Sequence, residues 1–163
     1  MSRVVLPDLD TLAWAPVVAV TEIEMFDRYN GVPTLGTFTA DGQVHLFWRA
    51  LGYTSDISLW LYVPLTREDR DLLDAADSQH LLDGIVFGLD EPRYVTVGVA
   101  DANRLVFERE WRLAARRDPA NLVQPLLEFV DEALEIALAE DLPATRRELV
   151  RKAHDAVSQL THC

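Results

Sequence analysis

The most apolar continuous run of the chain is Ile57–Leu65, and its pattern predicts an inner β-strand. With a period of two, four aliphatic residues fall on one face of this strand: Ile57, Leu59, Leu61 and Val63. Ser58, Trp60 and Tyr62 fall on the other face. Because both faces are largely apolar, both can be buried. A strand of this kind lies inside a sheet, so we expect a neighbouring strand along each of its edges.

Alternating apolar and polar residues predict further strands before and after this run. Val17–Phe26 is expected to be a strand, followed by a turn at residues 29–33. Arg93–Ala100 and Arg104–Glu110 alternate in the same way and are separated by a short polar turn, which predicts a second hairpin.

The clearest hairpin joins Thr34–Ala40 to Gln43–Leu51. Asp41-Gly42 between them is typical of a two-residue type I′ turn, which fixes the register of the two strands. That register places Gly36 opposite Phe47. We therefore expect the glycine to leave room for the aromatic ring.

Two short helices are predicted between the hairpins. Thr66 and Asp69 form a variant capping box in which aspartate replaces the usual glutamate, and the helix is expected to continue to about residue 74. A second short helix is expected over residues 77–87, although its glycine lowers the helix propensity by about 1 kcal/mol.

After Trp111 the chain becomes rich in alanine, leucine and charged residues, which predicts a pair of helices. Proline is unfavourable inside a helix, so the first helix is expected to begin near Gln124 with Pro125 at its first position. Its exposed face is expected to be acidic: Glu128, Asp131, Glu132 and Glu135. The start of the last helix is basic, and the two helices are expected to pack antiparallel with complementary rims.

These elements predict one α+β domain. Residues 1–16 form a lead-in, residues 17–111 a sheet-rich module, and residues 112–163 a helical C-terminal part. We expect a mostly antiparallel sheet of about six strands with two short inserted helices and a C-terminal helical pair.

Composition narrows the classes of function. The net charge of −12 argues against a nucleic-acid binder, because phosphate contacts require a basic face. The single cysteine excludes a disulfide within the chain, and no apolar run reaches the roughly 20 residues that span a bilayer. We therefore expect a cytoplasmic protein that does not enter the membrane.

The sequence carries no recognised catalytic motif, so no catalytic residue, cofactor or metal ligand is predicted. The four histidines lie outside any motif of two histidines on one helix, and there is no phosphate-binding glycine loop. Ser55 and Ser58, which lie near Asp56, could meet His45 across the hairpin, but no motif supports this contact. Glu22 and Glu24 point the same way from one strand, and acid–base chemistry would require one of them to be desolvated.

The best candidate for a binding site is an aromatic region of the sheet. Trp48, Trp60 and Tyr62 are expected to crowd together there, with Arg49 and Tyr53 as polar anchors at the rim. The simpler interpretation is that the C-terminal helices cover these rings. The alternative is an exposed patch for a partner or a ligand.

The order of these parts resembles an uncharacterised family of small bacterial domains. The likeness covers about residues 20–110 and is carried by the segment at residues 29–33, by Trp60–Leu65 leading into an acidic helix, and by Leu81–Phe87. The resemblance implies no assigned activity.

Three functions follow as hypotheses. The first is a non-enzymatic bacterial accessory domain that binds a protein partner or itself. The second is a small-ligand-binding protein or enzyme with a pocket on the aromatic face. The third is an acidic inhibitor or immunity-type protein, whose binding surface would be the acidic cluster at residues 68–77.

Overall fold

Six segments with apolar alternation form one antiparallel sheet in which every strand lies beside its neighbours in the chain. The computed structural model describes residues 6–16, 20–29, 32–53, 56–75, 81–87, 91–114 and 119–161. The strands are β1 (Val20–Tyr29), β2 (Val32–Ala40), β3 (Gln43–Tyr53), β4 (Ile57–Pro64), β5 (Arg93–Asp101) and β6 (Arg104–Leu113).

Helical segments lie between β4 and β5 and after β6. They are α1 (Arg67–Ala75), a short π-helical turn (Asp83–Phe87), α2 (Pro119–Leu138) and α3 (Ala144–Thr161). The predicted α+β fold, with its antiparallel sheet and C-terminal helical pair, is confirmed.

Strand β4 is the inner strand that its apolar run predicts. It pairs with β3 on one side and with β5 on the other, and every residue from Ile57 to Val63 is buried. Such a strand needs a cover on each face of the sheet. The two covers define two separate apolar cores.

The first core lies on the helix-covered face, which we define by Leu59, Leu61 and Val63 of β4. These side chains share one buried cluster with the inward residues of the C-terminal helices: Leu122, Leu126, Leu127, Val130, Ala133, Leu134, Ala137, Val150, Ala153 and Val157. The second core lies on the opposite, aromatic face, where Trp60 and Tyr62 cluster with Phe38 and Phe47.

The hairpin of β2 and β3 has the predicted register. Asp41 and Gly42 have φ angles of 51° and 75°, as a type I′ turn requires, and Gly36 pairs with Phe47. A Cβ atom on Gly36 would lie 2.7 Å from the Phe47 ring and 2.1 Å from the carbonyl oxygen of Glu24. The glycine therefore makes the room that the sequence predicts.

The strand boundaries differ from the prediction at both ends of the sheet. β1 continues to Tyr29 and β2 begins at Val32, so both ends of the expected turn at residues 29–33 are strand, and residues 30 and 31 lie outside the described residues. Residues 17–19 of the predicted first strand lie outside the described residues. β6 continues to Leu113, which places the expected boundary of the sheet module at residue 111 inside a strand.

The expected start of the first C-terminal helix is also wrong. Helix α2 begins at Pro119 and contains Pro125 in its interior. A proline there costs about 3 kcal/mol, because it removes one helical hydrogen bond. Burial of Leu122 and Leu126 offsets this cost, since each buried leucine contributes about 1.5–3 kcal/mol.

The described part of the second inserted helix is wider than predicted. Residues 81 and 82 are α-helical and residues 83–87 form a π-helical turn, whereas residues 77–80 of the predicted helix lie outside the described residues. Gly84 lies against α1, because a Cβ atom there would come within 2.7 Å of the Leu72 side chain.

Two arginines attach the C-terminal helices. Arg147 donates to the carbonyl oxygens of Leu138 at 3.3 Å and Glu140 at 3.1 Å, which caps the end of α2. Arg146 donates to the carbonyl oxygen of Val106 in β6 at 3.0 Å. Partial burial lowers the pKa of Arg146, and this effect outweighs the attraction of Asp8.

The lead-in runs along the start of β6. The Ala13 amide donates to the carbonyl oxygen of Asn103 and the Leu105 amide donates to that of Thr11, both at 2.9 Å. These bonds hold Ala13 and Trp14 against the aromatic face. Trp14 is partly buried against this core, whereas Leu12 is exposed.

The predicted capping box forms at the start of α1. Asp69 Oδ2 accepts from the Thr66 amide at 2.9 Å, and the Asp69 amide donates to Thr66 Oγ1 at 3.2 Å. The same carboxylate oxygen accepts from Arg93 Nη1 of β5 at 2.9 Å. Asp69 therefore fixes both the helix start and its attachment to the sheet.

We expect Asp69→Ala to destabilise the fold by roughly 2–4 kcal/mol. About 1 kcal/mol comes from the lost cap, and the rest from leaving Arg93 partly buried without its carboxylate. Urea denaturation followed by circular dichroism measures the change. Asp71→Ala on the exposed side of α1 is the matched control and should change stability by less than about 0.5 kcal/mol. Equal effects of the two substitutions would contradict this role of Asp69.

Candidate functional site

The structure divides four of the five predicted binding residues between the two faces of the sheet. Trp48 pairs with Leu61 and packs into the helix-covered core. Arg49 pairs with Trp60, so its side chain leaves β3 on the opposite, aromatic face, where Tyr62 also lies. The Tyr53 side chain lies outside the described structure. The expectation that Trp48 and Trp60 crowd together is therefore wrong.

The aromatic face is closed around its rings. Trp60 is 1% exposed and Tyr62 is 2% exposed, and Trp60 Nε1 donates to Ser58 Oγ at 2.9 Å. Phe38 contacts Tyr62 edge-to-face with ring centroids 5.9 Å apart. The C-terminal helices cover the other face, so the expectation that they cover the aromatic rings holds for Trp48 and is wrong for Trp60 and Tyr62.

One buried hydroxyl on this face belongs to Tyr62. Among the described residues, its oxygen has no hydrogen-bond partner. Burial raises the pKa of Tyr62 well above its usual value, and the nearby charge of Glu108 raises it further. The phenol therefore stays neutral and is not a nucleophile at ordinary pH.

A pocket lies beside Trp48, between β3, the π-helical turn and α2. Its volume is about 260 Å³, and its lining is apolar: Trp48, Ala50, Leu51, Leu82, Phe87, Leu122, Val123 and Leu126. The Trp48 and Phe87 rings meet edge-to-face, with centroids 5.5 Å apart. Val123 is one of the partly exposed residues of the lining.

The sequence identified Trp48 but missed the rest of this pocket. The pocket residues of α2 were not predicted because the helix was expected to begin at Gln124, which left Leu122 outside it. The only signal was the apolar spacing of Leu122 and Leu126, one helical turn apart.

The other expected chemical groups do not converge. His45 pairs with Pro64 and Ser58 pairs with Gly52, so the conceived contact between Ser58 and His45 is not formed. Glu22 and Glu24 line a second pocket of about 380 Å³, but both residues are exposed. They therefore lack the desolvation that acid–base chemistry requires.

The acidic cluster at residues 68–77 is only partly described. Asp69 is buried and bound to Arg93, whereas Glu68 and Asp71 are exposed. The side chains of residues 74–77 lie outside the described structure. A contiguous acidic surface at this place stays a prediction.

Asp131 of α2 lies where the sequence does not place it. It was expected on the exposed acidic face, but it is 8% exposed and faces α3, where Ser158 donates to its Oδ1 atom at 2.5 Å. His154 of α3 lies beside it. The sequence signal for this group is the spacing of one helical turn between Asp131 and Glu135 and between His154 and Ser158.

No family model, curated protein or solved structure matches the chain. Among the helices that the structure describes, none is long and apolar enough to cross a bilayer. Any function must therefore be argued from the geometry of the pockets and side-chain clusters.

His45 provides a test of the aromatic face. Its ring stacks on Phe38 with centroids 4.8 Å apart, and Nδ1 lies 3.2 Å from the carbonyl oxygen of Gln43. Burial lowers the pKa of His45, and the Gln43 carbonyl offsets part of this effect. Because the folded pKa lies below the unfolded value of about 6.5, the unfolded state binds more protons as the pH falls.

We therefore expect His45 to reduce stability as the pH falls from about 7 to about 5. In His45→Gln this contribution disappears, so stability should fall less steeply over that range. Urea denaturation at several pH values measures both slopes. Above about pH 7.5 the two slopes should coincide, which serves as the internal control. A steeper fall in the variant would refute the assignment.

Proposed function

We propose that this chain is a non-enzymatic binding protein that takes a small uncharged apolar molecule into the pocket beside Trp48. The observation that carries the proposal is a cavity of about 260 Å³ with a largely apolar lining. Binding pockets for small molecules are concave and mostly apolar, with volumes that begin near 300 Å³. At about 260 Å³, this pocket lies just below that range.

The size of the cavity indicates the size of the ligand. Engineered apolar cavities of about 150 Å³ bind benzene. A cavity of about 260 Å³ has room for a bicyclic aromatic molecule or a short aliphatic chain. The edge-to-face arrangement of Trp48 and Phe87 provides aromatic surface for such a molecule.

The lining also explains why we favour binding over catalysis. All eight lining residues are apolar, so among the described residues of the pocket wall there is no acid, base or nucleophile. A charged ligand would lose its hydration without gaining a partner in this wall. We therefore expect the pocket to select uncharged molecules.

Naphthalene is the probe that we would use, with binding followed by ligand-observed NMR and by tryptophan fluorescence. Wild-type protein should bind it, and Val123→Glu should weaken binding by about tenfold or more, which corresponds to about 1.4 kcal/mol. The reason is that this substitution places a carboxylate in the apolar lining.

Gln124→Glu is the matched control for this experiment. It adds the same charge at the next, exposed residue of α2, which does not line the pocket, so binding should be unchanged. If wild-type protein fails to bind naphthalene, or if both variants bind equally well, the proposed function is wrong.

The edge strand β1 supports a second candidate function, self-association. β1 is at one end of the strand order, and its Ile23 and Met25 side chains are 46% and 47% exposed. An edge strand offers its backbone for pairing with another strand. Antiparallel pairing of β1 with the same strand of a second copy would give a closed twofold dimer.

Sedimentation velocity tests this candidate. Wild-type protein should dimerise, and Met25→Lys should raise the dimer dissociation constant by about tenfold or more, because a charge would be buried in the interface. Tyr94→Lys replaces another exposed apolar residue, on β5, and should leave the constant unchanged. A wild-type monomer at every concentration would exclude the candidate.

A further inference from the structure

Four polar side chains meet between the C-terminal helices, on the side away from the Trp48 pocket wall. Asp131 and Glu135 lie one turn apart on α2, and His154 and Ser158 lie one turn apart on α3. His154 Nε2 lies 3.4 Å from Asp131 Oδ1 and 3.5 Å from Glu135 Oε1. Ser158 Oγ lies 3.3 Å from the same ring nitrogen.

These distances are long for hydrogen bonds. An N–H···O bond in a protein has a donor–acceptor distance of about 2.9–3.0 Å. Three oxygen atoms surround one imidazole nitrogen, and each of them stays 3.3–3.5 Å away from it. The ring nitrogen is therefore near all three oxygen atoms without a close bond to any of them.

The same distances fit ligands of one metal ion. Zinc binds imidazole nitrogen at about 2.0–2.1 Å and carboxylate oxygen at about 2.0–2.2 Å, usually with tetrahedral geometry. Two atoms that are each about 2.1 Å from a tetrahedral ion lie about 3.4 Å apart. His154 is at this separation from both Asp131 and Glu135.

We propose that His154, Asp131 and Glu135 form a binding site for a divalent transition-metal ion of the zinc class. The ligand atoms would be Nε2, Oδ1 and Oε1, which all lie within 4.8 Å of one another. The Glu135 side chain is 62% exposed, so it can rotate inward to close the site. Three protein ligands leave a fourth tetrahedral position for water or another ligand.

The donor set selects the class of ion. Magnesium and calcium prefer oxygen ligands, whereas imidazole suits zinc, copper, nickel and iron. Ser158 positions the Asp131 carboxylate through its hydrogen bond to Oδ1.

The test uses full-length protein titrated with zinc chloride in a calorimeter. His162 and Cys163 at the end of the chain are alternative zinc ligands, so the reference protein carries His162→Ala and Cys163→Ser. We expect one zinc ion per chain and a rise in Tm with zinc, since an ion bound only by the folded state stabilises it. Magnesium should give neither effect.

Substitutions in the reference protein then locate the ion. His154→Ala and Asp131→Asn should abolish the zinc-dependent rise in Tm, and Glu135→Gln should weaken binding by at least about tenfold. Glu148→Gln is the matched control, because it removes the same charge from an exposed position on α3 and should leave binding unchanged.

Two results would overturn the proposal. One is a reference protein that binds no zinc. The other is that the Glu135→Gln and His154→Ala variants bind zinc as strongly as the Glu148→Gln control. Circular dichroism of each apo variant shows whether it is folded, so lost binding is separated from lost structure. The result is independent of naphthalene binding in the Trp48 pocket.

Discussion

Burial of β4 on both faces is the constraint on which the rest of the architecture depends. Residues Ile57–Val63 leave no face of the strand for solvent, so the sheet needs a cover on each side. Helices α2 and α3 provide one cover, and the aromatic side chains with the lead-in provide the other. This arrangement separates the Trp48 pocket from Trp60 and Tyr62, and it brings α2 and α3 together, where Asp131 meets His154.

Local patterns predicted much of the sheet and less of what covers it. The Asp41-Gly42 turn and the alternation of apolar residues are short-range signals, and the register that they predict is correct. Which face the helices cover is a long-range property. Since β4 is apolar on both faces, its pattern does not distinguish them, and the aromatic face was wrongly assigned to the helices.

The candidate sites were harder to predict because each depends on pairing between distant segments. Trp48 faces the helices because it pairs with Leu61, and a shift of one residue would have placed it beside Trp60. Asp131 was expected to face solvent because it lies outside the apolar stripe of α2. The helix also packs against α3, so its buried arc is wider than the stripe and includes a carboxylate.

The order of the strands has a consequence for how the chain folds. Each strand of the sheet pairs with its neighbour in the chain, and α2 packs against the next helix, so the pairing of these elements follows their order in the chain. Folds with local contacts form quickly, because little chain entropy is lost before each contact is made. Successive hairpins can therefore form while the chain is being synthesised. The lead-in at residues 11–13 can pair only after all six strands have been synthesised, because its partner strand β6 is the last of them.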